Sequence, residues 1–171
     1  DLVGALKRIR VPAAETGHRG KLWLTAEEVK AILAASATMT GLTPPALVRN
    51  LAIVTLIATT GLRREEVSTA EWSDLTKMGG HWVLTVYGKG KKIRHVKLPG
   101  MALDALNAWQ QWHPLPDGER PIFTQLWKGG AVTSKKLSPN AIWEIVEAAA
   151  RAAGLKHVSP HVLRRTFARG A

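Results

Sequence analysis

The chain has 171 residues, 46% of them apolar, no cysteine and a formal net charge of +11. These values exclude a disordered tail, a disulfide-stapled secreted module and a cysteine-ligated zinc site, and they suit a reducing, cytoplasmic setting. The positive balance points to a polyanionic partner, nucleic acid before a membrane surface; with no block of like charge, the basic residues sit on the fold itself.

Residues 1 to 22 read as an arm or linker, broken by Pro12, Gly17 and Gly20 and charged by Lys7, Arg8, Arg10, Arg19 and Lys21. Those early basic residues are followed by Pro12 and polar positions, which is not a signal-peptide pattern. Thr25-Ala26-Glu27-Glu28 has the form of a capping box and opens a helix to about Ala37, with Val29, Ile32 and Leu33 on one face. Thr43 and Pro44 begin a second helix that runs to Thr60 and is apolar most of the way round, which marks it as central and buried. Its most apolar run, Leu51 to Ala58, is too short to cross a membrane. Gly61 ends it. A short helix begins at Leu62-Arg63-Arg64-Glu65-Glu66-Val67 and leads to a turn at Ser73-Asp74.

The period then changes. His81 to Tyr87 and Ile93 to Leu98 alternate as strands, joined by the glycine-bearing loop Gly88-Lys89-Gly90-Lys91-Lys92. Met101 to Trp112 is an amphipathic helix with a Leu103, Leu106 and Trp109 stripe. His113 to Pro121 is loop, and Ile122-Phe123 has the character of a short strand. Ser138 caps a helix from Pro139 to about Ala153, stopped by Gly154. Ser159 and Pro160 open the last helix, on which His161 and Arg164 share a face. The expected fold class is α+β, mainly helical with a small antiparallel sheet.

Three basic positions fall where local structure aims a side chain: Arg63 after a helix-ending glycine, Lys89 on a hairpin, and His161 with Arg164 at a helix start. Each has a plain reading. Arg63 can pair with Glu65 or Glu66, a lysine-rich hairpin can be a solvated turn, and the His161–Arg164 face can simply meet water. In combination and in this order they resemble the catalytic domain of the tyrosine recombinases, the phage integrase family. Thr60-Gly61-Leu62-Arg63-x-x-Glu66-Val67 is similar to that family's first-arginine motif. Gly88-Lys89-Gly90-Lys91-Lys92-Ile93-Arg94-x-Val96-x-Leu98-Pro99 is similar to its lysine hairpin, and His161-x-Leu163-Arg164-Arg165-Thr166-Phe167-Ala168 to its His-x-x-Arg motif. Arg165 stands where the family often has histidine.

The resemblance implies the DNA breaking-rejoining fold over residues 23–171. It implies that residues 1–22 are a linker from an absent N-terminal core-binding domain. It implies DNA recombination or integration by phosphoryl transfer through a 3′-phosphotyrosine, with no metal and no other cofactor. Arg63 and Arg164 are the expected phosphate donors, Lys89 the general acid, and His161 a supporting donor; Glu66 is expected behind Arg63, and Lys91, Lys92 and Arg165 on DNA. The family's nucleophilic tyrosine has no counterpart: the single tyrosine, Tyr87, lies on a strand, where packing or sheet pairing is its expected role. The fragment is therefore expected to bind double-stranded DNA without cleaving it and to be monomeric, with a homo-tetramer on DNA for the parent protein. The likeness of Ala70-Glu71-Trp72-Ser73-Asp74 to phage and genomic-island integrases tilts the reading to a bacterial mobile element, cytoplasmic and nucleoid-associated. The alternatives are a non-catalytic DNA-binding module or degenerate integrase remnant, a type IB topoisomerase, and a metal-dependent nuclease. The last is disfavoured because Glu27, Glu28, Glu65, Glu66, Asp104, Glu144 and Glu147 are scattered over helix starts and loops.

Overall fold

The computed structural model describes residues 23–113 and 116–170; the arm expected over residues 1–22 lies outside them. The capping box forms as read. Thr25 Oγ1 accepts from the Glu28 N–H at 3.2 Å, and Glu28 Oε2 accepts from the Thr25 N–H at 2.9 Å. Helix α1 (Ala26–Thr38) follows and buries Val29, Ile32 and Leu33. Helix α2 (Pro44–Thr60) is the centre of the molecule: Ala52, Ile53, Val54, Leu56 and Ile57 are all at most 1% exposed. A helix surrounded this way must satisfy its own polar side chains. Thr59 accordingly donates to the Thr55 carbonyl and Thr60 to the Leu56 carbonyl. Gly61 closes the helix in the left-handed conformation (φ +68°), its N–H bonded to the Ile57 carbonyl. A Cβ there would also overlap the Phe167 ring, so glycine is required twice over.

Helix α3 (Arg64–Thr69) leads through a 3₁₀ turn at Trp72–Asp74 into a three-stranded antiparallel sheet in the order β1 (Leu75–Met78), β2 (His81–Tyr87), β3 (Ile93–Lys97). Leu84 pairs with Leu75 on one side and Val96 on the other, and Val86 pairs with Arg94. Leu84 and Val86 face the core, whereas Tyr87 and its partner Ile93 are each 59% exposed. The first strand is an addition to the sequence reading, which had a turn and then only two strands. Helix α4 (Gly100–Gln110) buries Ala102, Leu106 and Trp109, so Ala102 replaces Leu103 in the expected stripe; Leu103 is only partly covered.

A second addition is the hairpin β4 (Thr124–Leu126) and β5 (Val132–Lys136). Ile122 and Phe123 are fully buried but precede this strand rather than form one. Side chains from the helices hold it: Arg49 Nη1 donates to the Thr124 carbonyl at 3.0 Å and Ser68 Oγ to the Leu137 carbonyl at 2.7 Å. Burial lowers the Arg49 pKa to about 10. Helix α5 (Pro139–Ala152) is capped by Ser138 Oγ and buries Ile142, Val146, Ala149 and Ala150. Helix α6 (Pro160–Gly170) packs Val162 and Leu163 into the core. The incoming chain is pinned to α6. The Leu24 N–H donates to Thr166 Oγ1 at 2.8 Å, and the Arg169 guanidinium lies 3.7 Å from the Trp23 ring centre.

Candidate functional site

The left-handed turn at Gly61 sets where the next residues point. Arg63 is extended (φ −75°, ψ 150°) and stands at the N-cap of α3, its side chain half exposed. It cannot cap the helix with its own side chain. Glu66 does part of that work from inside the helix, with Oε2 accepting the Arg63 N–H at 2.8 Å. The same carboxylate is 3.8 Å from Arg63 Nη1.

Arg164 comes from the opposite direction, on α6, and its Nη1 donates to the Gly61 carbonyl at 2.7 Å. A cation at the carbonyl end of α2 is favoured by the helix dipole as well as by the hydrogen bond. Burial lowers the Arg164 pKa from its ordinary value; repulsion by Arg63 and Arg94 adds to this, and Glu66 opposes it. Arg63 and Arg164, with His161, Pro160, Arg64, Glu65 and Trp143, line a cleft of about 240 Å³. Arg64 pairs with Glu65 at 3.1 Å and lies over the Trp143 ring. His161 and Arg165 are exposed.

The structure thus brings three of the four sequence-selected residues, Arg63, His161 and Arg164, to one cleft. The fourth, Lys89, is not on its wall. It opens a 3₁₀ turn, Lys89–Lys91, at the end of the β2–β3 hairpin, where Lys89, Lys91 and Lys92 are all exposed and the Gly88 N–H closes the loop on the Lys92 carbonyl at 2.8 Å. Tyr87 pairs with Ile93 just before this loop, as expected of a strand residue.

The residue that sequence reasoning passed over is Arg94. Its Nη1 and Nη2 donate to Glu66 Oε1 and Oε2 at 2.6 and 2.8 Å, a bidentate pair between β3 and α3. Burial works to raise the Glu66 carboxyl, which is 4% exposed, but the Arg94 hydrogen bonds, the Arg63 N–H and the charges of both arginines outweigh it and hold the carboxyl below its ordinary value. A signal for Arg94 existed. An acid placed one turn after Arg63, at the start of a buried short helix, needs a partner, and Arg94 lies opposite core-facing Val86 on the neighbouring strand. Arg63, Arg94 and Arg164 together set three positive charges against the single charge of Glu66. That surplus is what an anion in the cleft would answer. Among the described residues, no group of three His, Asp or Glu side chains is placed to hold a metal ion.

The profile of the phage integrase family matches residues 22–170. The tyrosine recombinase XerC of Xanthomonas campestris is 34% identical over 127 residues, covering 72% of this chain and 36% of that protein. The tyrosine recombinase XerD of Bifidobacterium longum is 33% identical over 156 residues, covering 85% of this chain and 47% of its own. The chain therefore spans between about a third and a half of the curated relatives it matches. Among solved structures, the XerH site-specific recombinase in its post-cleavage complex with difH superposes with a TM-score of 0.72 at 23% identity, over 90% of this chain and 42% of that one. The λ integrase tetramer bound to a Holliday junction superposes with a TM-score of 0.61 at 20% identity, over 93% and 45%. At those identities the superpositions establish the fold, that of the tyrosine recombinase catalytic domains. With a family match running through almost every described residue, the chain belongs to the phage integrase family of tyrosine recombinases.

Proposed function

We propose that residues 23–171 are the catalytic domain of a site-specific DNA recombinase, and that the cleft between α3 and α6 holds the scissile phosphate. The observation that carries this reading is the meeting of Arg63 and Arg164 across Gly61, with the Arg164 guanidinium anchored on the Gly61 carbonyl. A phosphodiester under in-line attack gathers charge on its non-bridging oxygens. Two charged planar donors suit that charge, Arg164 being anchored before the substrate arrives, and each such donor is typically worth about 10²–10³ in rate. His161, on the same wall, donates to the phosphate or supports proton transfer.

In the reaction, a tyrosine hydroxyl passes its proton to His161, its oxygen bonds to phosphorus and the bond from phosphorus to the 5′-oxygen breaks. The electron pair leaves on that oxygen, which takes a proton from Lys89 as the general acid. Reversal by a 5′-hydroxyl of another strand completes the exchange. Lys91, Lys92 and Arg165, all exposed, contact the DNA backbone. The attacking tyrosine is not Tyr87, which is paired in a strand and 59% exposed. The parent protein assembles as a tetramer on its recombination site, while the 171-residue chain, whose one tyrosine is Tyr87, binds duplex DNA as a monomer without cutting it.

The test is direct. A nicked recombination-site duplex, incubated with the 171-residue chain, is expected to give a retarded complex and no covalent adduct on a denaturing gel. In the parent protein, Arg63→Ala is expected to abolish adduct formation while DNA affinity changes little. An equal loss of affinity and cleavage would reduce Arg63 to a backbone contact, and the domain to a DNA-binding module.

A further inference from the structure

The cleft gathers the arginines, while Lys89 sits on an exposed turn outside it, so something must set the base from which that lysine reaches. Two observations locate it. The β2–β3 hairpin loses its apolar hold on the core before the loop begins: Val86 is the last inward-facing apolar residue of β2, at 3% exposed, and the next pair outward, Tyr87 with Ile93, is solvated on both strands. At the level of Val86 its partner is Arg94, and Arg94 is the side chain that reaches across to Glu66. The outermost level of the hairpin tied to the rest of the domain therefore carries a salt bridge on β3 beside the last hydrophobic contact on β2. The bridge's other end, Glu66, also accepts the Arg63 backbone N–H, so one carboxylate is shared between the hairpin and the residue that faces the cleft.

Beyond this tether the loop is exposed and carries two glycines. Gly88 begins the loop, Gly90 has φ +69° with open space around its Cβ position, and Lys89 lies between them. A bidentate arginine–carboxylate pair fixes direction as well as distance, which a single lysine contact does not.

We propose that Arg94 is a positioning residue for Lys89: its two-point bridge to Glu66 holds the hairpin so that the lysine swings from a fixed base to the leaving 5′-oxygen. The inference rests on the assignment of Lys89 as general acid, given above. Arg94 acts through Lys89 and does not itself touch the phosphate.

The experiment is single-turnover cleavage by the parent protein on two substrates, an ordinary phosphodiester and one with sulfur in place of the bridging 5′-oxygen. A thiolate leaves without needing a proton, so the second substrate removes the need for the acid. Lys89→Ala serves as the reference and is expected to fail on the first substrate and recover on the second. Arg94→Ala is expected to slow the first by about tenfold to a hundredfold, a part of the ~10²–10⁴ that a general acid supplies, and to return to within about threefold of wild type on the second. Glu66→Gln, which keeps an oxygen for the Arg63 N–H but weakens the bridge, should show the same dependence on leaving group, and it decides the matter if Arg94→Ala does not fold. The Lys89→Ala, Arg94→Ala double variant should be no slower than Lys89→Ala alone.

Recovery of Lys89→Ala on the sulfur substrate without recovery of Arg94→Ala or Glu66→Gln overturns the positioning role alone; Arg94 then acts on the phosphate or on the fold. An Arg94→Ala enzyme as fast as wild type on the ordinary substrate overturns it as well. Failure of Lys89→Ala to recover removes the general-acid assignment, and the proposal with it.

Discussion

Arg164 and Lys89 stand on the same domain but are held by different physics. Arg164 projects from a helix whose Val162 and Leu163 are packed into the core, and its guanidinium is bonded to the carbonyl of Gly61 at the end of the most buried helix in the molecule. Lys89 projects from an exposed 3₁₀ turn beyond the last apolar contact of its hairpin, and the Arg94–Glu66 bridge, at the level of buried Val86, secures the strands just behind it. Groups that must meet charge as it develops gain from being immobile. A group that must approach after the substrate is seated gains from a hinge. The contrast teaches that the arginine side of the site is a product of the core, whereas the lysine side depends on one ion pair.

The contrast can be broken most severely at its rigid side. Arg164→Ala in the parent protein is expected to lower the cleavage rate by about 10²–10³, or about 2.7–4 kcal/mol of transition-state stabilisation, with DNA affinity changed far less; rapid-quench cleavage beside a filter-binding titration reads both. Gly61→Ala strikes the same side through the backbone. It combines a left-handed conformation with displacement of the Phe167 ring, and should cost about 2–4 kcal/mol in urea unfolding.

The lysine side is sharpened by acid. Because the folded Glu66 carboxyl is held below its ordinary value, the unfolded chain takes up that proton first as the pH falls. The bridge's contribution is thus fully present above the ordinary carboxyl value of 4.5 and is lost as the pH drops through the lowered folded value. Glu66→Gln should lower stability by about 1–3 kcal/mol at neutral pH, with the gap to wild type closing as the pH falls below the ordinary carboxyl range. Thermal melts of both proteins across that range check the sign; a gap that widens in acid contradicts it. The smallest effect belongs to the loop itself. Gly90→Ala meets open space but keeps a positive φ, so a cost of about 1 kcal/mol is expected.

The parts of the fold that were legible in the sequence are those with local causes. Thr25 with Glu28, Pro44, Gly61 and Ser138 mark helix ends through bonds made within a few residues, and the apolar circumference of α2 announces its own burial. The missed strands lack such causes. Leu75–Met78 is four residues long with no inward–outward alternation to betray it. Thr124–Leu126 is three residues long, and its partner strand is mostly polar; what holds the pair in place is Arg49 and Ser68 reaching from other helices, which no local pattern can display. The site divides the same way. Arg63, His161 and Arg164 were marked by helix starts and stops, and the structure brings them to one cleft. Lys89 was marked by its hairpin, but its distance from that wall was not. Arg94 was visible only as one basic residue in a basic strand, because its meaning depends on a carboxylate 28 positions away.

The joint between the incoming chain and α6 can be viewed as a lever. Thr166 both donates to the Val162 carbonyl and accepts the Leu24 N–H, and Arg169 lies on Trp23. Thr166 is two residues from Arg164, so tension applied along the backbone at Trp23 and Leu24 has a direct route, one hydrogen bond and one cation–π contact, to the helix that carries His161 and Arg164. Thr166→Val severs one strand of that linkage, removing the acceptor for the Leu24 N–H without substituting any residue that lines the cleft.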